Sequence, residues 1–392
     1  MNDRVFDAAS DYYDLFSDVT GEDAAAWARA RQFGAEILPS INDHWQHGEY
    51  PLEFVRRMGE LDLFIDGLDI PGHAKLSPLG AGLVTMELSR ADGSMSTVLA
   101  VQGGLALRCV MLYGTPEQQA KWASPIASGR VLGSFALTEP QHGSDSVSLE
   151  TSARREGDDW IINGEKRWIG NGSSGGVTVV WARASDTGEV NAFLVEQDLP
   201  GYDAERIRGK AAMRAIDQAA ITFRDVRVPE SARLPGATSF KDTTRVLSAT
   251  RSSVAWSALG HATACFEIAL EHAKTREQFG RPLAKSQIIQ QRLANMSMQL
   301  TTMQLHCRRI AELEREGKLD ATRASMAKVN NTRLARAIAS DARDMLGGNG
   351  ILLERHVIRH LLDIEAIHTY EGTDTVQSLI VGRQLTGMSA FV

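Results

Sequence analysis

The sequence predicts a mainly α-helical protein with an inserted β-domain. Three observations carry that reading. Helix-capping patterns and small apolar residues fill positions 1 to about 130, and β-prone runs split by Gly, Pro and Asp fill about 131 to 238. Long amphipathic helices return from about 239 to 392. At 392 residues the chain exceeds what one small core can organise, so these boundaries mark three expected domains, 1–130, 131–238 and 239–392.

In the first region Thr20 with Asp23 has the spacing of a capping box. "TPEQ", Thr115 to Gln118, is a stronger one, with Thr as N-cap, Pro in the first turn and Gln reaching back. The apolar, small-residue stretch between them reads as closely packed helices. In the second region "DWIINGEKRWIG" suggests two strands turning at Asn163-Gly164, and "VTVVWAR", "NAFLVEQ" and "AAITFRDVRVP" supply further strands. In the third, Ile289, Leu293, Met296, Leu300, Met303, Cys307 and Ile310 step by alternating fours and threes, the seam of a helix bundle. Core filling explains those methionines, and Cys307 on the seam is expected to be buried and inert.

Composition excludes several functions. With 43% hydrophobic residues, 23% charged residues and a net charge of −7, there is no electrostatic footprint for nucleic acid or an anionic membrane. The N-terminal residues carry early acids and no apolar h-region, so no leader is expected. No apolar run is read as long enough to span a bilayer. Three distant cysteines, Cys109, Cys265 and Cys307, argue for a reducing compartment. A cytoplasmic protein is expected.

Several motifs could carry chemistry. In "IEAIHTYEGTDTVQSLIVGRQLTG", Glu371 falls between two helix-like segments, beside the positive end of the second, which Thr373 or Asp374 can cap. A carboxylate there is either a charge near a cap or a placed base. "MLGGNGI" offers bare backbone N–H groups but is neither a P-loop nor G-x-G-x-x-G. His356 and His360 stand four apart without a third ligand, so no metal site is expected. "ALTEPQHGSDS" clusters hydroxyls around Thr138 and Ser144, and "KRWIGNG" sets Trp168 on a strand running into glycines. In "TREQFGRPLAKSQ", Arg276 and Arg281 flank Phe279, a combination that suits a pyrophosphate and an adenine.

The order of these motifs resembles the acyl-CoA dehydrogenase family over nearly the whole chain: "LTEP" and "GSD", then "KRWIGN", "REQFGRPLAKSQ", "LGGNG", and "YEGT" followed by "LIVGR". The last hundred residues look most like the glutaryl-CoA dehydrogenase branch and the related short-chain acyl-CoA oxidases. The resemblance implies a middle β-barrel-like domain, a C-terminal four-helix bundle, FAD, an acyl-CoA thioester and a homotetramer built as a dimer of dimers. It implies electron-transfer flavoprotein as the acceptor. It makes Glu371 the base that removes the α-proton, with Tyr370 and Gly372 beside it and Arg251 near the substrate. Thr138, Ser144 and Trp168, with the adjoining Ile169 and Gly170, match positions at the flavin or thioester. Arg276, Phe279, Gln287 and the run Asp344, Met345, Leu346, Gly347 and Gly348 match positions that hold the FAD pyrophosphate and adenosine, some from a neighbouring subunit. Thr373 matches a further FAD contact, and Thr375 stands where some relatives have Gln.

Three departures narrow the expectation. Ser96 and Ala100 occupy the positions where the glutaryl branch places Arg and Ser on a distal carboxylate, so glutaryl-CoA is not the expected substrate; Arg90 is the nearest other cation in sequence. Gly170 replaces a Thr common in dehydrogenases, which keeps an oxidase passing electrons to oxygen as an alternative. His142 replaces a small residue and is expected to fill a turn. The expected activity is α,β-dehydrogenation of a short- or branched-chain acyl-CoA, with the oxidase or a carrier-protein-bound acyl substrate as alternatives.

Overall fold

A computed structural model describes residues 10–390. The leader reading above falls largely on residues 1–9 and lies outside the described residues. Helices α1 (Gly21–Ile37), α2 (Ile41–His47), α3 (Leu52–Glu60), α4 (Pro78–Ala91), α5 (Gly93–Tyr113) and α6 (Pro116–Ala127) come first. Thr115 caps α6 through a complete capping box with Gln118, as expected. The box expected at Thr20 does not form. The Asp23 carboxylate instead accepts from the Ser77 backbone N–H, at 2.9 Å, and from its hydroxyl, fixing the start of α4.

Helix α5 corrects another expectation. By length and composition it is apolar enough to cross a membrane, yet 78% of its apolar window is buried within this fold. A helix surrounded by core is hydrophobic all round for the same reason as a spanning one. Its middle, Ala100–Leu107, loosens to a π-helix, a distortion common at functional sites. There Gln102 donates to Ile126 and Val131 carbonyls and accepts from the Gly133 N–H at 2.7 Å, stitching the helix to the following sheet.

The sheet comprises β1 (Leu132–Ala136), β2 (Ser152–Glu156), β3 (Asp159–Gly170), β4 (Gly176–Ala184), β5 (Val190–Glu196), β6 (Tyr202–Arg206) and β7 (Gln218–Pro229). β4 pairs in parallel with β1 and then β2 along one edge and antiparallel with β5 along the other; β2, β3, β7 and β6 continue the curled sheet. Alternate residues of β4 enter two cores. Val177, Val179 and Trp181 pack toward α5 and α6, while Val180 and Ala182 pack within the fold of the sheet. The hairpin expected at Asn163-Gly164 is absent, and β3 runs straight through. The chain turns earlier, at Gly157, and Gly164 (φ +142°) instead forms a bulge against Thr151. A hairpin turn and a bulge both draw on glycine's tolerance of positive φ, so the same dipeptide signals either.

Helices α7 (Phe240–Thr275), α8 (Gln287–Arg315), α9 (Ala321–Met345) and α10 (Val357–Thr369) pack as a bundle, and α11 (Asp374–Thr386) lies along α9. A small hairpin, β8 (Glu277–Gln278) and β9 (Arg281–Pro282), joins α7 to α8. The α8 seam is buried from Met296 to Ile310, Cys307 included, while Ile289 and Leu293 pack at its edge. α4 and α7 touch backbone to backbone: a Cβ on Gly260 would lie 2.1 Å from the Met86 carbonyl. That contact explains the small residues between the two helices.

Candidate active site

The site is built around the break between α10 and α11. Thr373 caps α11 by accepting from the Val376 N–H at 3.3 Å, as the sequence suggests, and Gly387 closes the helix in left-handed backbone. Glu371 and Gly372 both take positive φ, +55° and +89°. For a glutamate that conformation is strained, and such strain persists only where the surroundings impose it. Tyr370, packed against the helical core, precedes it.

Two helices supply the wall facing Glu371. From α7, the Thr250 hydroxyl donates to the Glu371 carboxylate at a long 3.3 Å, and the Arg251 Nε is buried with no hydrogen-bond partner among the described residues. From α9, the Lys328 ammonium donates to the Tyr370 and Gly372 carbonyls. Burial pushes the Glu371 carboxyl up, opposed by the charges of Lys328 and Arg251 and by the Thr250 hydrogen bond. Burial likewise pulls Lys328 down to about 8 and Arg251 below its ordinary range, with the Glu371 charge opposing both. A half-buried carboxylate thus sits beside two cations, with one weak hydrogen bond to its oxygens.

A second group of the expected residues lies on and beside the sheet. Lys166, on β3, is fully buried and pairs with Glu139 at 2.9 Å; Glu139 also accepts from the Glu150 and Thr151 N–H groups. This buried pair pins the loop from Thr138 to Glu150 against β3. The Arg167 N–H donates to the Thr138 carbonyl at 2.8 Å, bringing Thr138 beside Trp168. Trp168 turns out of the strand at φ +66° and leaves 49% of its surface exposed, with the Arg167 guanidinium over its ring. Ser144 is exposed on the same loop. Glu139 and His142 exchange backbone hydrogen bonds, so His142 closes a turn as expected. Ile169 is buried in the sheet core, leaving only its backbone available. At Gly170 a Cβ would lie 2.7 Å from Val101 Cγ2, so the α5 valine occupies the space a larger side chain would need.

The remaining expected residues separate. Ser96 is buried in a chain of hydroxyls, accepting from Ser89, which also bonds Ser257; Ala100 is half-buried where the π-helix begins. Arg90 is tied to Glu87 and Glu267 at 2.9 and 2.6 Å. Arg276, Phe279, Gln287, Gly347 and Gly348 are exposed, and Phe279 is fully so. Asp344 joins this group through Arg292, at 3.3 Å, whereas Met345 and Leu346 are core side chains. Thr375 is exposed on α11. Among the described residues no hydrogen bond or ion pair connects this exposed group with Thr138, Trp168 or Glu371. His360 bonds His261 and His356 bonds Asn42 and Arg359; no group of three or more metal-ligating side chains occurs among the described residues.

Sequence reasoning missed Lys328, Thr250 and Gln377. Only the spacing of Ser325 and Lys328 on the buried stripe of α9 hinted at the first, because lysine in a helix ordinarily reads as surface.

A scaffold of this kind, with a carboxylate at a helix break and an exposed Trp on the sheet, has clear relatives. Family models for acyl-CoA dehydrogenases match in all three parts: the N-terminal domain over residues 20–130, the middle domain over 134–226 and the C-terminal domain over 240–386. The human mitochondrial short-chain specific acyl-CoA dehydrogenase is 35% identical over 358 residues, covering 89% of this chain and 86% of the relative. A glutaryl-CoA dehydrogenase from Mycobacterium smegmatis superposes with a TM-score of 0.95 at 38% identity, covering 98% of this chain and 99% of the other. A second structure of a glutaryl-CoA dehydrogenase from that organism, in complex with FADH2, gives 0.95 at 34% identity over 99% of this chain and 100% of that one. The chain belongs to the acyl-CoA dehydrogenase family, FAD-dependent oxidoreductases acting on CH–CH groups. The exposed Trp168 ring fits a planar cofactor. So does the open space over Gly347 and Gly348, where an added Cβ meets nothing within 4 Å.

Proposed function

We propose that the protein catalyses α,β-dehydrogenation of a short- or branched-chain acyl-CoA, with Glu371 as the base that takes the α-proton. The observation that carries this reading is the Glu371 carboxylate itself: half-buried, raised in pKa, held in left-handed backbone and supported by one long hydrogen bond. An α-proton of a thioester is weakly acidic, so a base of raised pKa matches the task better than an ordinary carboxylate. The Glu371 N–H has no acceptor among the described residues, which leaves it free to donate to the thioester oxygen as negative charge develops there. Arg251 lies close enough to feel the carboxylate, and its unpaired Nε favours the ionised state before the proton moves.

Bound FAD would supply the two-electron acceptor, taking the β-hydride at flavin N5. Trp168, Thr138, Ser144 and the backbone of Ile169 and Gly170 would hold the flavin end. Thr373 would add a contact from the α11 cap. Arg276, Phe279, Gln287 and the Asp344–Gly348 backbone would hold the pyrophosphate and adenosine. Their exposure supports service to a neighbouring subunit's cofactor in a homotetramer. Electron-transfer flavoprotein would be the acceptor.

Two features support a substrate without a distal carboxylate. Ser96 is committed to other hydroxyls, and Arg90 is neutralised by two glutamates. A buried carboxylate at Ser96 and Ala100 would lack a cation, at a cost of several kcal/mol. One observation favours a second reading. Val101 fills the space beside Gly170, so no threonine hydroxyl can stand there, and an oxidase on the same site fits that contact.

The test is an anaerobic titration of the purified flavoprotein with saturated acyl-CoAs, glutaryl-CoA among them, followed by air. Bleaching by short chains with slow recovery is the expected result. Fast recovery with peroxide would favour the oxidase, and best bleaching by glutaryl-CoA would overturn the substrate assignment.

A further inference from the structure

We propose that Lys328 is a positioning residue for the dehydrogenation: by binding the carbonyls on either side of Glu371 it fixes the direction in which the Glu371 N–H and carboxylate point. This rests on Glu371 being the base, and it assigns a role to a buried lysine far away in sequence.

Three consecutive carbonyls in this loop are captured. Lys328 Nζ donates to those of Tyr370 and Gly372, and Gln377 Nε2 donates to that of Glu371 at 2.7 Å. Gln377 is in turn held by the Ser325 hydroxyl at 2.5 Å. Ser325 and Lys328 lie three apart on α9, so they present to one side of that helix. Both are buried, as is Gln377.

The consequence follows from peptide geometry. In a trans peptide the carbonyl of one residue and the N–H of the next point in opposite directions. Turning the Tyr370 carbonyl toward Lys328 therefore aims the Glu371 N–H away from α9. Turning the Glu371 carbonyl toward Gln377 aims the Gly372 N–H the other way likewise. A glutamate at φ +55° would relax without such restraints, and its N–H would lose its aim. The clamp also explains why Lys328 keeps its charge at the core of the protein: an ammonium has three donors and no acceptor, and two carbonyls plus the Glu371 field satisfy it.

Electrostatics adds a second signature. The charged and titratable groups around Glu371 are Arg251 from α7, Lys328 from α9, and Asp374, at the start of α11, which also acts on Lys328; Tyr370 adjoins it, and His368 of α10 feels Lys328 and Asp374. Asp374 is already paired with Arg333 at 2.7 Å. Removing the Lys328 charge leaves Arg251 as the cation holding Glu371 ionised. The Glu371 pKa then rises, and the acid limb of the rate profile moves to higher pH.

The experiment compares wild type, Lys328→Met, Lys328→Arg and the milder Ser325→Ala in two ways. The first is hydrogen–deuterium exchange of the segment 369–373. The second is the pH dependence of anaerobic flavin reduction by the best acyl-CoA of the panel. Lys328→Met is expected to speed exchange in that segment selectively. It should slow reduction by about tenfold to a hundredfold, as a displaced reacting group does, and raise the acid limb by about one unit. Lys328→Arg should keep the limb near its wild-type position while losing rate, because the fork does not match two carbonyls in place of one ammonium. Ser325→Ala should lose rate mildly with no shift of the limb. Unchanged exchange at 369–373 in both Lys328→Met and Ser325→Ala would overturn the clamp. A lowered melting temperature with unaltered rate and limb in Lys328→Met would overturn it too. Should no acyl-CoA bleach wild type while exchange still rises in Lys328→Met, the clamp stands and the functional reading falls.

Discussion

Around Arg359 and around Glu371 the protein buries charge in two different ways. Arg359 donates from all three kinds of guanidinium nitrogen: to Asn42 at 3.0 Å, to Asp92, and to the Ala91 carbonyl at 2.9 Å. Asp92 also caps the start of α5 through the Met95 N–H, and Asp363, a turn along α10 from Arg359, accepts from Trp45 and the Met213 N–H. That hub ties α2, α5 and α10 to the loop before β7, and every nitrogen of its guanidinium and every oxygen of its two acids has a hydrogen-bond partner. At Glu371 the backbone carbonyls are saturated but the carboxylate is not, and Arg251 Nε is left over. Unspent hydrogen-bonding capacity, held in place by a rigid frame, separates a site from a structural network, since a fold that needed only stability would satisfy both.

The comparison can be broken from either side. The largest stability effect is expected at the hub. Arg359→Met leaves Asp92 buried and unpaired and should cost about 3–5 kcal/mol, read as a lower chemical-denaturation midpoint. If that variant unfolds like wild type, the hub is not structural.

A second test uses acid. His261 is pulled down to about 3 and His356 to about 4, both chiefly by burial and then by the Arg359 charge, and His360 falls well below its ordinary value for the same reasons. Each imidazole is neutral when folded but protonates in the unfolded chain below about 6.5. The unfolded state then binds more protons, so stability falls as pH drops from 6.5 toward these lower values, by at most about 1.4 kcal/mol per pH unit for each imidazole. Asp363, raised to about 7 by burial, opposes one of the three imidazoles because its folded form takes up a proton over the same range. Thermal melts from pH 7 to pH 5 should still show a net decline; stability that rises as pH falls would contradict the neutral imidazoles.

A smaller effect sharpens the picture on the sheet side. Gly170→Ala forces a methyl against Val101 and should cost about 1–3 kcal/mol, with Val101→Ala in the same chain restoring most of the loss. Failure of the second change to rescue the first would show that Gly170 is needed for backbone access alone.

Much of this was legible beforehand, for physical reasons. The helix break at Glu371 announced itself through the Thr373 cap and a glycine, signals that are local to the chain. The helical–β–helical order followed from a change in hydrophobic period. Signals with two outcomes misled: Asn163-Gly164 made a bulge, and Asp23 served the distant Ser77 rather than its own helix. Lys328 and Gln377 were invisible because their role exists only once α9, α11 and the 370–372 loop come together. Long-range polar contacts leave no periodicity, whereas caps and seams do.

The most direct test of the central claim is anaerobic mixing of a short-chain acyl-CoA with wild type and with Glu371→Gln, both checked for bound FAD and native fold. Glutamine keeps the shape and the N–H of this loop while removing the base. The account predicts that wild type bleaches while the variant binds the thioester and stays oxidised, with a rate lower by about a hundredfold to ten-thousandfold or more. Bleaching of the variant at the wild-type rate would contradict it and hand the proton to another group.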